Sequence, residues 1–422
     1  MPSLNVAYIL LHFPYLTETF VAEEIRAVRS QGVNVHIISV LQPGPGPVQP
    51  LSEQLLPYTW YAPGLLTPSL WKAQLHFLLK SPRLYLNLLV TLLRQPYPRQ
   101  PPILLAKRLV IFLKAVAVAH HLRDSEVHLL HTHFASLSGA AAGICARLLD
   151  LPFTVTVHAF DIFCRLKNEL LRLVTDQAEH VIAISEYNRQ HLIATRICAP
   201  QTVSVVHCGV DLTKLPVQGQ MREEERSETD SLRILSVGSL LPKKGHIHLI
   251  AACHLLQQQG VDFICNIIGS GENEAVLRRY IQEYDLQDRV QILKYKPHPE
   301  IVAAYRRHDL FVLASTIAPD EDRDGIPVVL MEAAAMGMPI ISTRVSGIPE
   351  LIHHGQTGWL VPPGDPAALA DAIVTVTADA ELGVNLGRNV RNLVKAEFDV
   401  EKNARRLATL FGDIHYRWLT RR

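Results

Sequence analysis

The stretch Asp320-Glu-Asp-Arg-Asp324-Gly-Ile-Pro-Val-Val-Leu-Met-Glu332-Ala-Ala-Ala-Met-Gly337 decides how the second half of the chain is interpreted. The apolar run before it, Leu310-Phe-Val-Leu-Ala314, has the composition of a buried parallel strand. After the acidic residues, Pro327 suits the first position of a helix and Gly337 suits its end. A strand, an acidic loop and a helix N-terminus in this order predict a ligand site in an open parallel sheet.

This loop is expected to combine anion binding with two carboxylates. The backbone N–H groups of Val328 and Val329 would face an anion at the helix N-terminus, where the helix dipole is favourable. Asp324 lies at the mouth of the site, and Glu332 follows far enough into the helix to reach a hydroxyl group. Such a site suits a ligand with phosphate and sugar, such as a nucleotide-sugar. The alternative is an acidic surface loop before an ordinary buried helix.

The segment Asp324-Gly-Ile-Pro-x4-Glu332 resembles the E-x7-E signature of family-4 (group 1) retaining glycosyltransferases. In that family the first acid usually contacts the transferred sugar and the second contacts the ribose. The resemblance therefore implies a catalytic role for Asp324 and a donor-binding role for Glu332. It also implies donor contacts for three intervening residues: Ile326, Val328 and Val329. The first acid is Asp here instead of the usual Glu, so its reach is one methylene shorter.

Composition limits the class of protein. The chain has 422 residues, enough for two or three domains, and 48% of them are hydrophobic, so a large core can form. The net charge of +1 gives no indication of a nucleic-acid partner. Six scattered cysteines without metal-like spacing favour a reducing, cytoplasmic location. We expect no membrane-spanning helix, and the first residues resemble a core strand more than a signal peptide.

The N-terminal half begins as a βαβ unit. Val6-Ala-Tyr-Ile-Leu-Leu11 and Val33-Asn-Val-His-Ile-Ile-Ser-Val40 are predicted strands, with a helical sequence between them. The loop after the first strand contains four candidate acceptor-side residues: His12, Thr17, Glu18 and Thr19. Its form, Phe-Pro-x-Leu-Thr-Glu-Thr-Phe, is similar to that of enzymes that build bacterial exopolysaccharides of the colanic-acid type. Alternatively, Thr17 or Thr19 caps the helix.

Histidines end two further predicted strands. His158 and Asp161 resemble the family's His-Gly-x-Asp segment, in which the histidine faces the reacting sugar. The resemblance implies a catalytic role for His158 and an acceptor-side role for Asp161, whereas the alternative is a strand-end histidine satisfied by a backbone carbonyl. His131 and His133 have the spacing of metal ligands on a strand, but no third ligand stands at suitable spacing. We therefore predict no metal.

A second βαβ series starts at Leu232-Arg-Ile-Leu-Ser-Val-Gly238 and predicts a second, similar domain. The next residues resemble the family's phosphate loop, Val-Gly-Arg-Leu-x3-Lys-Gly, with Lys244 as the phosphate-binding lysine. Ser239 replaces the arginine of that loop, and Lys243 can compensate for it. Two glycines of the matching turns are also expected on the donor side: Gly238 and Gly271. The alternative for the two lysines is a solvated turn.

Together these features predict an α/β protein of GT-B architecture, with two Rossmann-like doubly wound domains facing across a cleft. We expect an acceptor-side domain at residues 1–213, a linker at 214–230, and a nucleotide-sugar-binding domain at 231–399. C-terminal helices at 400–422 are expected to cross back to the first domain. The resemblance implies sugar transfer from a nucleotide-sugar to a growing, lipid-linked saccharide, with retention of configuration and without a cofactor.

Other function classes remain open from the sequence alone. Asp322-Arg-Asp324 is a DxD sequence, which would suit a metal-dependent transferase of a different fold. An epimerase or phosphorylase fits the GT-B architecture, although no lysine stands out for the pyridoxal group of a phosphorylase. A non-catalytic subunit that binds sugar nucleotides is favoured by the missing arginine.

Residues 54–123 contain nine basic residues and no Asp or Glu. Apolar runs and aromatic residues (Trp60, Trp71, Phe77 and Tyr97) lie between the bases, and prolines are expected to cut the stretch into helices too short to span a bilayer. Basic amphipathic helices bind anionic membrane surfaces. We therefore predict peripheral association with the cytoplasmic face of the membrane. Alternatively, the helices pack on the sheet and the bases merely coat their outer faces.

Overall fold

The computed structural model describes residues 4–15, 18–44, 46, 48–94, 102–164, 170–217 and 231–422. The chain divides into two compact units, the first formed by Met1–His207 with Glu401–Arg422 and the second by Cys208–Val400. The boundary between the units falls after His207, whereas the sequence analysis placed it at residue 213. The reason is that Val210 and Leu215 are buried in the core of the second unit. Most of the predicted linker, residues 218–230, lies outside the described residues.

A sheet of seven parallel strands forms the centre of the first unit. The strands are β1 Asn5–His12, β2 Asn34–Leu41, β3 Thr59–Tyr61, β4 Leu129–His133, β5 Phe153–Val157, β6 His180–Ala183 and β7 Val203–Val205. Their spatial order is β3-β2-β1-β4-β5-β6-β7. The first six residues of β1 are all buried, which suits its apolar sequence because helices cover both faces of a parallel sheet.

Helices connect these strands, as parallel pairing requires. They are α1 Thr19–Ser30, α2 Pro50–Leu55, α3 Pro68–Lys80, α4 Pro82–Leu93, α5 Pro102–Leu122, α6 Leu137–Leu149, α7 Ala159–Phe163, α8 Leu171–Gln177 and α9 Glu186–Ala194. The apolar faces of the sheet and the helices share one core, in which Ile9, Phe112 and Val155 are among the fully buried residues.

The second unit repeats the plan with six parallel strands. They are β8 Leu232–Val237, β9 Phe263–Ile268, β10 Val290–Leu293, β11 Leu310–Leu313, β12 Ile340–Thr343 and β13 Trp359–Val361, in the order β10-β9-β8-β11-β12-β13. The helices of this unit are α10 His246–Gln258, α11 Glu274–Glu283, α12 His298–Arg307, α13 Val328–Met336, α14 Ile348–Leu351, α15 Pro366–Ala378 and α16 Ala380–Glu397. Both units are thus doubly wound, as predicted.

Each sheet has one point where the strand order reverses. In the first unit the reversal lies between β1 and β4, and in the second it lies between β8 and β11. Ligands of doubly wound sheets bind at such a point, beyond the carboxyl ends of the strands. The loops after these four strands are therefore where the functional residues of each unit are expected.

The helix ends differ slightly from the sequence predictions. Helix α13 begins at Val328, and Pro327 is its N-cap, because Pro327 has an extended ψ of 131°. Gly337 ends the helix as predicted, with a left-handed φ of 77°. At α1, Glu18 is the N-cap and Thr19 is the first helical residue, so the interpretation of Thr19 as a cap is wrong.

The last helix, α17 Val400–Thr420, groups with the first unit from Glu401 onward. Its Phe411 is fully buried, and the centre of its ring lies 5.0 Å from that of His131 and 6.4 Å from that of Tyr8. Helix α17 therefore packs against β1 and β4, and β4 carries both His131 and His133.

Helices α3, α4 and α5 occupy the basic stretch at residues 54–123. The first two have 13 and 12 residues, but α5 runs for 21 residues, so the expectation of short pieces is wrong there. Pro102 stands at the first position of α5, where proline does not interrupt a helix. Within the described residues, no helix has both the length and the apolar character needed to cross a membrane.

Candidate functional site

Two lysines and two aspartates meet at the reversal point of the second sheet. The lysines lie on the short turn Pro242–Lys244 after β8, and the aspartates lie in the loop after β11. Nζ of Lys244 is 2.8 Å from Oδ2 of Asp324, and Nζ of Lys243 is 3.1 Å from Oδ2 of Asp322 and 3.9 Å from Oδ1 of Asp324. The predicted phosphate-binding lysine and the predicted catalytic carboxylate are therefore direct partners.

The position of the lysine turn depends on contacts with the loop after β11. Gly245 has a left-handed φ of 64°, and a Cβ there would lie 1.7 Å from the carbonyl oxygen of Ala314. The backbone N–H of Thr316 donates to the carbonyl of Lys243 at 2.8 Å. His246 is buried behind the turn, where burial and the charge of Lys244 lower its pKa to about 4. These contacts hold both lysines beside the aspartates.

The two donor-side glycines lie next to this turn. A Cβ on Gly238 would be 3.4 Å from Cδ of Lys244, so the lysine stem passes over this residue. A Cβ on Gly271 would be 2.7 Å from the carbonyl oxygen of Leu240, so the Gly-x-Gly turn packs directly on the phosphate loop. Ser239, in the place of the family's arginine, is half-buried between these contacts. The structure thus places Gly238 against Lys244 and Gly271 against Leu240 of the same loop.

The carboxylate of Asp324 is held from the strand side as well. The hydroxyl of Ser315 donates to Oδ2 of Asp324 at 3.4 Å, and the hydroxyl of Thr343 donates to the carbonyl of Ser315 at 2.5 Å. The side chain of Asp324 is only 10% exposed. A carboxylate at this position is therefore oriented by groups from three strand ends, those of β8, β11 and β12.

Glu332 projects from α13 into a second polar group. The hydroxyl of Tyr305 donates to its Oε2 at 2.9 Å, and Nε2 of His298 lies 3.0 Å from its Oε1. Burial, followed by the charge of Glu332, raises the pKa of Tyr305 well above its usual value. Sequence analysis missed Tyr305 and His298, because both come from α12 and no motif marks them. The hydroxyl that Glu332 reaches in the structure is that of Tyr305.

The remaining donor-side candidates lie at the start of α13. Ile326 is buried in the core, whereas Val328 and Val329 are half-buried in the first turn. The first amides of a helix have no partner in the preceding turn of that helix, so this end suits an anion. The DxD aspartates, by contrast, both face lysine ammonium groups, an arrangement that weakens attraction for a divalent cation.

In the first unit, the acceptor-side candidates line the carboxyl end of β1. His12 is half-buried, and burial lowers its pKa. Burial raises the pKa of Glu18 to about 6, although the charge of His133 opposes the shift. Thr19 starts α1, and Thr17 lies outside the described residues.

His158 and Asp161 form a reciprocal cap on α7. The backbone N–H of His158 donates to Oδ2 of Asp161 at 2.9 Å, and the backbone N–H of Asp161 donates to the backbone carbonyl of His158 at 3.0 Å. Burial raises the pKa of Asp161 to about 7. Nε2 of His158 lies 3.2 Å from Nδ1 of His133. The Nε2 atom of this ring therefore faces another histidine, whereas the alternative had placed a backbone carbonyl against the ring.

The structure also supplies a third polar group beside the His-x-His pair. Oε1 of Glu24, on α1, lies 3.0 Å from Nε2 of His133 and 3.7 Å from Nε2 of His131. Among the described residues, these three form the group with the geometry of possible metal ligands. No third ligand stands at suitable spacing along the sequence, but the fold brings Glu24 to the pair from 109 positions away from His133.

Comparison with solved structures gives the class of fold. The structure is similar to a glycosyltransferase from Rickettsia africae, with a TM-score of 0.71, 18% identity and coverage of 98% of this chain and 99% of the other. It is also similar to the Anabaena protein HepE in complex with UDP, with a TM-score of 0.69, 17% identity and coverage of 97% and 100%. The protein thus has the GT-B fold of glycosyltransferases, as predicted.

Sequence comparison then gives the family. Residues 17–214 match Glycosyltransferase Family 4, and residues 217–393 match Glycosyl transferases group 1. The chain belongs to this family of glycosyltransferases. It is 38% identical to the amylovoran biosynthesis glycosyltransferase AmsK of Erwinia amylovora over 234 residues, which span 56% of either chain. It is 29% identical to the putative colanic acid biosynthesis glycosyltransferase WcaL of Salmonella typhimurium, over 97% of this chain and 100% of the other.

The lysine turn gives a testable prediction about stability. We expect Gly245→Ala to reduce the free energy of unfolding by about 1–3 kcal/mol more than Gly260→Ala, because only the first places a Cβ against a carbonyl oxygen. Gly260 is a matched control, since it has a similar φ of 74° and nothing within 4 Å of the added Cβ. Denaturant unfolding followed by circular dichroism measures both variants. Equal losses would mean that the turn does not depend on this close approach.

Proposed function

We propose that this protein transfers a sugar from a nucleotide-sugar to a growing, lipid-linked saccharide, with retention of configuration, in the synthesis of exopolysaccharide or another cell-surface glycan. The observation that carries the proposal is the pairing of Lys244 with Asp324 at the reversal point of the second sheet. The names of the relatives AmsK and WcaL support a role in exopolysaccharide synthesis. The UDP bound by HepE, which has a similar fold, supports a nucleotide donor.

The donor would bind by exchange of partners. Ammonium groups that already face carboxylates at 2.8 and 3.1 Å can instead face the oxygens of a diphosphate. Lys244 would bind the diphosphate, Lys243 would supply the charge of the absent arginine, and the first amides of α13 would add donors. Once a phosphate faces Lys244, the carboxylate of Asp324 is available to accept a hydrogen bond from the sugar. Glu332 would contact the ribose.

The proposed reaction needs no protein nucleophile. The bond between the anomeric carbon and the phosphate oxygen breaks, and the acceptor oxygen bonds to the same face of that carbon. The acceptor's proton passes to the departing phosphate oxygen, so charge and atoms balance. Lys244 and the N-terminus of α13 stabilise the negative charge that develops on the diphosphate. Asp324 and His158 orient the sugar, while His12, Glu18, Thr19 and Asp161 belong to the acceptor side. Neither a metal nor another cofactor takes part.

The two acids of the donor site give a direct test. We expect Asp324→Asn and Glu332→Gln each to lower sugar transfer by about tenfold to a hundredfold, because a hydrogen bond to a charged group contributes about 1.5–3 kcal/mol. Turnover is measured with purified protein against a panel of nucleotide-sugars, and circular dichroism checks the fold. Glu283→Gln, an exposed acid on α11, is the control and should keep full activity. Unchanged turnover in both site variants would refute the assignment.

The phosphate loop gives a second test, on binding alone. We expect Lys244→Ala to weaken the binding of UDP by about tenfold or more, and Ser239→Ala by about threefold, because a charged donor contributes more than a neutral hydroxyl. Calorimetry in the presence of EDTA measures both, and binding should persist in the chelator. Ser239→Arg should bind more tightly if the loop keeps the shape that holds the family's arginine. Equal losses in the two alanine variants would contradict the role of Lys244.

We further propose that the protein associates with the membrane surface through residues 54–123, because the described part of this stretch exposes many large apolar side chains. Leu66 is 97% exposed, Leu79 is 73% exposed and Trp71 is 54% exposed. Other exposed members are Leu65, Leu75, Leu78, Leu86, Val90, Ile103, Leu105 and Leu109. Such a concentration of apolar surface on neighbouring helices marks an interaction site.

The positive charge of this surface supports an anionic bilayer as its partner. Lys72, Lys80, Arg83 and Lys107 are exposed, and no acid lies between residues 54 and 123. Each basic residue at an anionic membrane contributes about 1 kcal/mol. Some residues that the sequence suggested for this surface are buried instead: Arg108, Lys114 and Phe77. Trp60 is half-buried and stacks on His121. Arg99 and Tyr97 lie outside the described residues. A peripheral site of this kind would bring the enzyme to a lipid-linked acceptor.

Flotation with vesicles of graded anionic-lipid content tests this surface. We expect binding that grows with anionic lipid and that weakens when Lys72, Lys80, Arg83 and Lys107 are changed together to Gln. The matched control changes four exposed bases of the second unit to Gln: Arg279, Arg306, Arg388 and Lys395. Leu66→Ser with Leu79→Ser should weaken binding at equal charge. A protein that stays in the soluble fraction at low salt, or equal binding by the test and control sets, would contradict the proposal.

A further inference from the structure

A second cluster of polar side chains is buried at the carboxyl edge of the first sheet, and the proposed reaction uses only one of its members. The cluster combines residues from β1, α1, β4 and the end of β5: Tyr8, Glu24, His131, His133 and His158. The three histidines are at most 7% exposed, and the Glu24 side chain is 19% exposed. Buried polar groups at this density need a defined pattern of hydrogen bonds.

The distances arrange these groups as a chain. The hydroxyl of Tyr8 donates to Oε1 of Glu24 at 3.0 Å, and the same oxygen lies 3.0 Å from Nε2 of His133. The other nitrogen of His133, Nδ1, lies 3.2 Å from Nε2 of His158. His131 is a side branch, because its Nδ1 lies 2.8 Å from the hydroxyl of Thr154.

With both rings neutral, the chain has one consistent assignment of protons. A carboxylate only accepts hydrogen bonds, so His133 carries its proton on Nε2, where it faces Glu24, and none on Nδ1. His158 is then protonated on Nε2 and donates to Nδ1 of His133. The hydrogen bond between the two rings and the one to Glu24 then each have one donor and one acceptor.

The electrostatics of the cluster agree with this assignment. Burial lowers the pKa of His158 well below its usual value, so this ring is neutral at neutral pH. Burial acts to raise the pKa of Glu24, but His133, His131 and the Tyr8 hydroxyl outweigh it and lower that pKa to about 2. Burial also lowers the pKa of His131 to about 3. An ionised Glu24 therefore lies in a cluster in which the rings of His131 and His158 are neutral.

We propose that Glu24 and His133 are positioning residues for His158. Glu24 fixes the proton of His133 on Nε2, and His133 then holds the His158 ring by accepting a hydrogen bond from it. Without the carboxylate, His133 is free to carry its proton on Nδ1, where it would oppose the Nε2–H of His158. The inference rests on the proposed function, in which His158 orients the sugar. It assigns a purpose to the His-x-His pair other than metal binding, because the atoms that would bind a metal are already joined by hydrogen bonds.

The first experiment measures the proton on His133 without any substrate. Nitrogen NMR of protein labelled in histidine distinguishes a protonated ring nitrogen from an unprotonated one, and the His133 signals are assigned by their loss in His133→Asn. We expect protonation on Nε2 in the unaltered protein and a mixture of both forms in Glu24→Leu. An unchanged proton position in Glu24→Leu would overturn the inference, whatever the activity of that variant.

The second experiment measures turnover. Because a misplaced group near the reacting atoms can cost about tenfold to a hundredfold, we expect Glu24→Leu and His133→Leu to lower kcat by about tenfold, with KM for the donor within about threefold. His133→Asn keeps an acceptor near the position of Nδ1, so it should retain most of the activity. Glu24→Leu should then add little to His133→Asn. His180→Asn, at a buried histidine on β6 outside the cluster, is the control and should keep its kcat.

The remaining outcomes are distinguishable. If His158→Asn leaves kcat unchanged, the role of His158 is wrong and there is nothing for Glu24 to position. Equal kcat losses in His133→Asn and His133→Leu would also overturn the inference, because a packing role would explain them. If the purified protein contains stoichiometric zinc and Glu24→Leu removes it, these residues form a metal site and the inference is wrong. If no nucleotide-sugar is turned over by any variant or by the parent, the proposed function fails, whereas the NMR result still decides the Glu24–His133 bond.

Discussion

Parallel strands cannot be joined by tight turns, and this constraint shapes both halves of the protein. Each strand must be followed by a crossover, in which a helix returns the chain to the amino-terminal end of the sheet. The carboxyl ends of all strands therefore lie at the same end of the sheet, together with all strand-to-helix loops. The lysine turn after β8 and the acidic loop after β11 are neighbours for this reason, although 79 positions separate Lys243 from Asp322. The histidines at the end of β4 and directly after β5 meet beside β1 in the same way.

Much of this arrangement could be predicted from the sequence, because it depends on short-range patterns. Apolar runs such as Leu310-Phe-Val-Leu mark buried strands, and Gly337 marks a helix end, since both effects are local. The signature that includes Asp324 and Glu332, together with the loop that includes Lys244, identified the family. The repeated βαβ pattern predicted two doubly wound domains, but the strand orders come from the structure alone.

Other features could not be predicted, because they depend on which distant elements become neighbours. Nothing near Glu332 indicates that Tyr305 and His298 will contact its carboxylate. Glu24 reaches His133 only because α1 packs over the edge of the sheet. In the basic stretch, composition does not distinguish Arg108 from Lys72, yet Arg108 on α5 is buried and Lys72 on α3 is exposed. Their orientation depends on how α5 and α3 pack, which residue counts do not contain.

The two ends of the second unit lie side by side. Val210 and Asp399 form a parallel bridge, and the backbone N–H of Val400 donates to the carbonyl of Val210. At Gly209 an added Cβ would lie 2.5 Å from Cα of Val400, so there is no room for a side chain between the two segments. The chain therefore enters and leaves the second unit at adjacent positions. Residues 208–400 are thus an insertion within the sequence of the first unit. An exchange of the second unit between relatives needs only two adjacent junctions in the chain, so this unit can be replaced while the first is left unchanged.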